Sequence, residues 1–141
     1  MAFDSEMFEI YNVNGTNVEL AMGNYTTVPK YSDATNSRGL RGAIVDVLGN
    51  GKGRNRVVTV SDKNVFILYQ DFKRLRIVSP TDPKIMYADM LLVFDWDGRP
   101  VKIYELDSFV MNLDYDKTTN RLWTIRHNPD NWDPEIIYFE L

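Results

Sequence analysis

Leu91-Leu-Val-Phe-Asp-Trp-Asp-Gly-Arg-Pro-Val-Lys-Ile-Tyr-Glu-Leu106 is an apolar run, an Asp97-Gly98 turn, and then an alternating run in which Val101, Ile103 and Glu105 share one side. The stretch reads as a β-hairpin, because Asp-Gly favours a type I′ turn whose two central residues need positive φ. An earlier stretch, Phe8-Glu-Ile-Tyr-Asn-Val-Asn-Gly-Thr-Asn-Val-Glu-Leu20, has the same plan. Aligned on Gly15 and Gly98, Tyr11 meets Phe94, Ile10 meets Val93, Asn14 meets Asp97 and Val18 meets Val101. A hairpin that recurs in a short chain points to a repeat architecture.

A second pair of hairpins alternates with the first. Val57-Val-Thr-Val-Ser-Asp-Lys-Asn-Val-Phe-Ile-Leu-Tyr69 and Met111-Asn-Leu-Asp-Tyr-Asp-Lys-Thr-Thr-Asn-Arg-Leu-Trp-Thr-Ile125 each place two strands around an Asp-Lys turn, so Asp62-Lys63 matches Asp116-Lys117. Strands are expected at 7–13, 17–22, 56–61, 65–70, 90–96, 100–106, 109–115, 121–126 and 136–140, with a short strand at 42–48 admitted as an addition. Helical periodicity is weak, since Asp, Asn, Gly and Pro interrupt the apolar runs. With the strands of one unit called a to d, the chain reads c-d, a-b-c-d, a-b-c. Antiparallel four-stranded units in series are the pattern of an all-β propeller. Pro100 would open an outer strand, where a missing N–H is tolerated. The a–b and c–d turns are short, and the connections 23–55, 71–89 and 127–135 are long. The long ones should leave one face, opposite Gly15 and Gly98, and long loops on a rigid scaffold are where function collects.

Composition narrows the classes. The 141 residues suit one domain, 1–141, and the 44% hydrophobic share can supply a core. The net charge is −4, and the densest basic run is Lys73-Arg-Leu-Arg76, so a nucleic-acid partner is not expected. No apolar run has the length of a membrane span. Absence of cysteine removes disulfides, thiolate nucleophiles and cysteine metal sites. Met1-Ala-Phe-Asp-Ser-Glu6 is acidic and does not read as a signal peptide.

The segment 64–141 resembles the C-terminal part of bacterial TolB-like six-bladed β-propellers, a group rich in uncharacterised families. Asn64-Val-Phe-Ile-Leu-Tyr69, Val93-Phe-Asp-Trp-Asp-Gly98 with Pro100-Val101, Tyr104-Glu-Leu-Asp107 and Glu135-Ile-Ile-Tyr-Phe-Glu-Leu141 carry it. The resemblance implies the fold and a periplasmic or cell-surface home, and it implies no reaction. At about 40–45 residues per blade, the chain holds about half of a six-bladed ring. Missing N-terminal blades or self-association are therefore expected.

The candidate chemistry lies in the long connections. His127 is the only histidine and opens His127-Asn-Pro-Asp-Asn-Trp-Asp-Pro134. A lone loop histidine is more often a surface residue than a base, and no Gly-x-Ser-x-Gly context accompanies it. Trp132, an aromatic in a polar loop, would stack on a sugar ring or anchor a protein or peptide, or else fold back as a lid. Trp96 and Trp123 are expected in the core between blades. Arg38, Arg41, Lys73 and Arg126 would bind an anionic group or simply solvate loops. Asp130, Asp133 and Glu135, with Asn128 and Asn131, offer oxygens of the kind that hold Ca²⁺, against the simpler reading of a turn. No cofactor is otherwise implied: Gly49-Asn-Gly-Lys-Gly53 lacks the phosphate-loop pattern. The functional expectation is a binding or scaffold module acting through the long loops. The alternatives are a carbohydrate hydrolase or lyase in the same loops, and a truncated propeller without activity of its own.

Overall fold

The computed structural model describes residues 8–24, 31–35, 39, 41–45, 53–76, 83–128 and 130–141. They form an antiparallel all-β protein whose main sheet is strongly curled into a half-barrel, and among them there is no α-helix. Strands β1 (Phe8–Asn14) and β2 (Asn17–Asn24) pair as a hairpin, and so do β3 (Tyr31–Thr35) and β4 (Arg41–Val45). The main sheet runs β11-β10-β8-β7-β6-β5. Its strands are β5 (Gly53–Val60), β6 (Asn64–Asp71), β7 (Ala88–Asp95), β8 (Pro100–Val110), β10 (Arg121–His127) and β11 (Pro134–Glu140). The short β9 (Asp114–Asp116) pairs with β10. A 3₁₀ turn at Pro83–Met86 precedes β7.

β5 to β8 form the expected meander, and 91–94 pair with 100–104. β6 explains why this part of the sequence is legible. Val65, Phe66, Ile67 and Leu68 are all buried, so the strand reads as a continuous apolar run covered on both faces. Phe66 and Leu68 join Leu91, Val93, Leu106, Val110, Leu113 and Leu122 in the main core. Val65 and Ile67 face the other way and meet Phe8 and Ile10 of β1, while the Phe8 and Phe94 rings lie 4.7 Å apart. Full burial of Ile67 and Leu68 stabilises the fold by about 1.5–3 kcal/mol each.

The sheet curls so that β9 packs back on β5 and β6. Tyr115 of β9 stacks on Phe66 at 5.8 Å, and its backbone N–H donates to Thr59 Oγ1 at 3.1 Å. At the rim Lys117 Nζ lies 2.6 Å from Asp62 Oδ2. The two Asp-Lys turns of the repeat thus touch, side by side.

Several expectations are corrected. Strands expected separately at 100–106 and 109–115 are rearranged, because Leu106-Asp-Ser-Phe-Val110 has no Gly or Pro to turn it. β8 stays extended to Val110, slips against β7 between Met90↔Glu105 and Ala88↔Val110, and Val110 also pairs with Arg126. The last two units are therefore one hydrogen-bonded sheet, not separate ones. The span 23–55, expected as a long connection with a strand at most at 42–48, contains the β3–β4 hairpin. Residues 46–48 of that strand, most of the Gly49–Asn55 tip and Arg38 lie outside the described residues.

The turns are not type I′. At the second hairpin only Gly98 has positive φ, at 74°, with Gly98 N–H donating to Asp95 O and Asp95 N–H to Arg99 O, both at 3.0 Å. That is a type I turn closed by a glycine bulge. At Gly15-Thr16 only Gly15 has positive φ, the pattern of type II′ with glycine first. The two glycines do not occupy equivalent places either. Gly98 is buried against Met22, near the open end of the β1–β2 hairpin, while Val13 and Val18 beside Gly15 are 69% and 62% exposed. Trp96 and Trp123 are not core. Trp96 is 43% exposed and donates Nε1–H to Ser61 O at 3.2 Å. Trp123 lies half-buried on the outer face of β10 beside Tyr138, at 5.1 Å.

Candidate functional site

The connections 71–89 and 127–135 leave one end of the main sheet as expected, whereas 23–55 begins beside Gly98, on which Met22 packs. β6 ends at Asp71 and β7 begins at Ala88, opposite Gly98, and Ala88, Val110, Arg126 and Glu135 follow one another across the sheet. The segment before β7 and the loop after β10 therefore meet. The Tyr87 hydroxyl hydrogen-bonds with His127 Nδ1 at 2.9 Å, and the two rings stand edge to face at 5.9 Å.

Aromatic rings line up from there. Phe109 lies 6.4 Å from Tyr87, and Trp132 lies 6.2 Å from His127. Tyr87 is buried, His127 is half-buried, and Phe109 and Trp132 are exposed, the latter by 62%. The series passes from the interior to solvent. A cleft of about 230 Å³ opens beside it, lined by Asp107, Ser108, Phe109, Arg126 and His127.

The loop that carries Trp132 is tightly tied. Asn128 N–H donates to Asp133 O, and Trp132 N–H donates to Asn128 O, both at 2.9 Å. Asn128 Oδ1 accepts from Asp130 N–H, and Asn131 Oδ1 accepts from Asp133 N–H. Trp132 itself has φ of 62°, a left-handed conformation that costs a bulky residue about 1–3 kcal/mol and clusters at functional sites. Its strain is held by those bonds, and the ring stands out from the loop instead of covering the core as a lid.

Arg126 is fixed on both sides. Its Nε donates to Glu135 Oε2 at 2.9 Å and its Nη1 to Ser108 Oγ at 2.8 Å. Glu135 Oε1 also accepts from Asn128 Nδ2 at 2.6 Å. The Asn128 amide, and then the Arg126 guanidinium, hold the Glu135 carboxyl below the usual glutamate range. Asn131 Nδ2 donates to Asp133 Oδ2 at 2.8 Å. The oxygen-rich loop thus uses its side chains on itself, as the turn reading expects. Among the described residues no three His, Asp or Glu side chains gather as a metal site.

Of the residues singled out in the sequence, Arg126, His127 and Trp132 come together here. Lys73 is exposed in the turn after β6, and among the described residues no contact links it to the other three. Arg41 begins β4, paired with Thr35, and its side chain lies outside the described part. Tyr87, Ser108 and Phe109 were not legible, because only the slip of β8 and the crossing at Val110 bring them to His127.

A second polar cluster lies behind the same end. Arg54 Nε donates to Gln70 Oε1 at 2.7 Å, and Gln70 Nε2 donates to the Lys84 and Tyr87 carbonyls. These bonds tie the segment that carries Tyr87 to β6. Asp89, buried, lies with Oδ2 2.6 Å from Arg74 Nε, though not aligned as a hydrogen bond. Burial pushes its carboxyl above the ordinary range.

No protein-family model matches the chain, and no curated protein matches it in sequence.

Proposed function

We propose that the protein is a binding module, that its ligand is a carbohydrate, and that it binds in the cleft beside Tyr87, Phe109, His127 and Trp132. The observation that carries this is the exposed Trp132, held by a closed loop in a strained conformation next to an edge-to-face aromatic pair. An aromatic face stacks on the C–H face of a sugar ring, and Arg126, Ser108 and Asp107 offer hydrogen bonds to its hydroxyls. The arrangement favours binding over catalysis. Glu135, the carboxylate that anchors Arg126 beside the cleft, is engaged by Arg126 and Asn128 and held ionised, so it is poorly suited to act as an acid.

The fold belongs to the same proposal. The β1–β2 hairpin packed on one face of β6, and the continuous sheet from β5 to β11 curling back over the other, fit part of a propeller of the TolB-like kind. The periplasmic or cell-surface home follows from that likeness. The test is titration of the protein with a panel of neutral and N-acetylated oligosaccharides, followed by tryptophan fluorescence. A saturable change that is lost in Trp132→Ala supports the reading. No response to any member, or an undiminished response in Trp132→Ala, contradicts it.

A further inference from the structure

We infer, given that the aromatic cleft is a carbohydrate site, that it selects N-acetylated sugars, with His127 Nε2–H and the Asp107 carboxylate together reading the acetamido group. The Tyr87–His127 contact decides where the histidine proton lies. Tyr87 is buried, and among the described residues its hydroxyl has no partner but His127 Nδ1, at 2.9 Å. A buried hydroxyl without an acceptor is costly, so Tyr87 donates to Nδ1. Neutral imidazole has one accepting nitrogen and one protonated nitrogen. With Nδ1 accepting, the proton sits on Nε2.

The polar groups of the cleft then fall into two kinds. Arg126 is anchored on two sides, by Glu135 and Ser108. His127 and Asp107 line the same cleft, and the His127 Nε2 and the Asp107 carboxylate have no partner among the described residues. Asp107 and Phe109 alternate with buried Leu106 and Val110 along β8, so they share its exposed side. The cleft, of about 230 Å³, thus offers a free donor, an anionic acceptor and an exposed aromatic ring. An acetamido group carries the complements: a carbonyl that accepts from Nε2–H, an N–H that donates to Asp107, and a methyl that packs on Phe109. Trp132 is left for the sugar ring itself. A hydroxyl in place of the acetamido group has no methyl and does not span donor and acceptor as a planar amide does. A free amine suits Asp107 but sets its own N–H donors against His127 Nε2–H. An acidic sugar brings its carboxylate against Asp107.

The probes are three tetrasaccharides with one glucose backbone, bearing hydroxyl, acetamido or ammonium at the second carbon of each ring. Calorimetry should rank the acetamido form first, at least about tenfold tighter than the hydroxyl form. That preference should fall below about threefold in Asp107→Ala and in His127→Phe. Asp107 is exposed, so Asp107→Ala keeps the fold, and circular dichroism checks both variants. His127 is the only histidine, so its ring nitrogen signals are assigned without ambiguity. Recorded at about pH 8.5, where a histidine side chain is neutral, they should show the proton on Nε2. Sugar binding without preference for the acetamido form, a preference that survives Asp107→Ala, or a proton on Nδ1 overturns the inference and leaves the carbohydrate reading standing. If none of the three binds at millimolar concentration the inference falls as well, and the carbohydrate reading falls with it only when the whole oligosaccharide panel is silent.

Discussion

The Tyr87 hydroxyl and His127 Nδ1 lie 2.9 Å apart, one from the residue that precedes β7 and the other from the residue that ends β10. This contact joins two long connections into one surface. Tyr87→Phe keeps the ring and removes the bond. It should cost about 0.5–1.5 kcal/mol in urea unfolding and should loosen the position of His127, seen as altered chemical shifts at Arg126–Trp132.

Leu122 and Trp123 are neighbours with opposite fates. Leu122 is fully buried in the main core, and Trp123 is half-buried on the outer face. Leu122→Ala should cost about 2–5 kcal/mol, and Trp123→Ala about 1–2 kcal/mol through lost area and the contact with Tyr138. Denaturant midpoints rank the two, and a larger effect at Trp123 would reverse the assignment of faces.

Gly15 and Gly98 should also separate. Both have positive φ, so alanine strains either by about 1–2 kcal/mol. A Cβ at Gly15 meets open space, whereas at Gly98 it meets the Met22 side chain. Gly98→Ala should therefore cost more, and it should speed amide exchange in β1–β2, which Gly15→Ala leaves unchanged away from the turn.

Much of the fold was legible, for physical reasons that differ by strand. β6 is buried on both faces by an apolar run, β7 is buried on one face and half-buried on the other, and short turns fix their outer neighbours, so pattern and partner agree. The hairpin at Gly15 misled for the opposite reason. Its Asn-Gly dipeptide matches the Asp97-Gly98 pair, but turn type and packing are set by what the strands rest on, and only Phe8, Ile10 and Met22 rest on the sheet. Trp96 and Trp123 misled because an aromatic in a strand does not say which face is inside. At the site, His127 and Trp132 stood out as rare residues in a polar loop. Tyr87 and Phe109 carried no such signal, since their place depends on the irregular pairing of β8.

Two carboxyls give the acid behaviour a sign. Glu135 is held low by Asn128 and Arg126, and Asp116 is held low by the Thr119 hydroxyl and the Thr118 N–H. A depressed folded-state value means stability that is present above the unfolded values of 4.5 and 3.8, and lost as pH falls through the lower folded ones. The stability that these two carboxyls contribute should therefore be lost below about pH 4.5, against the opposite trend of buried Asp89, and thermal melts of Glu135→Gln taken from pH 3 to pH 7 should show a shallower loss on the acid side than the parent.

The central claim is that ligand binds where Tyr87, Phe109, His127 and Trp132 converge. Backbone amide spectra recorded during titration with the oligosaccharide that gives the strongest fluorescence response test it most directly. The account predicts that the largest shifts fall at Tyr87, Ser108, Phe109 and Arg126–Trp132, and vanish in Trp132→Ala. Shifts confined to the Gly15 and Gly98 turns, or no shift at millimolar sugar, would contradict it.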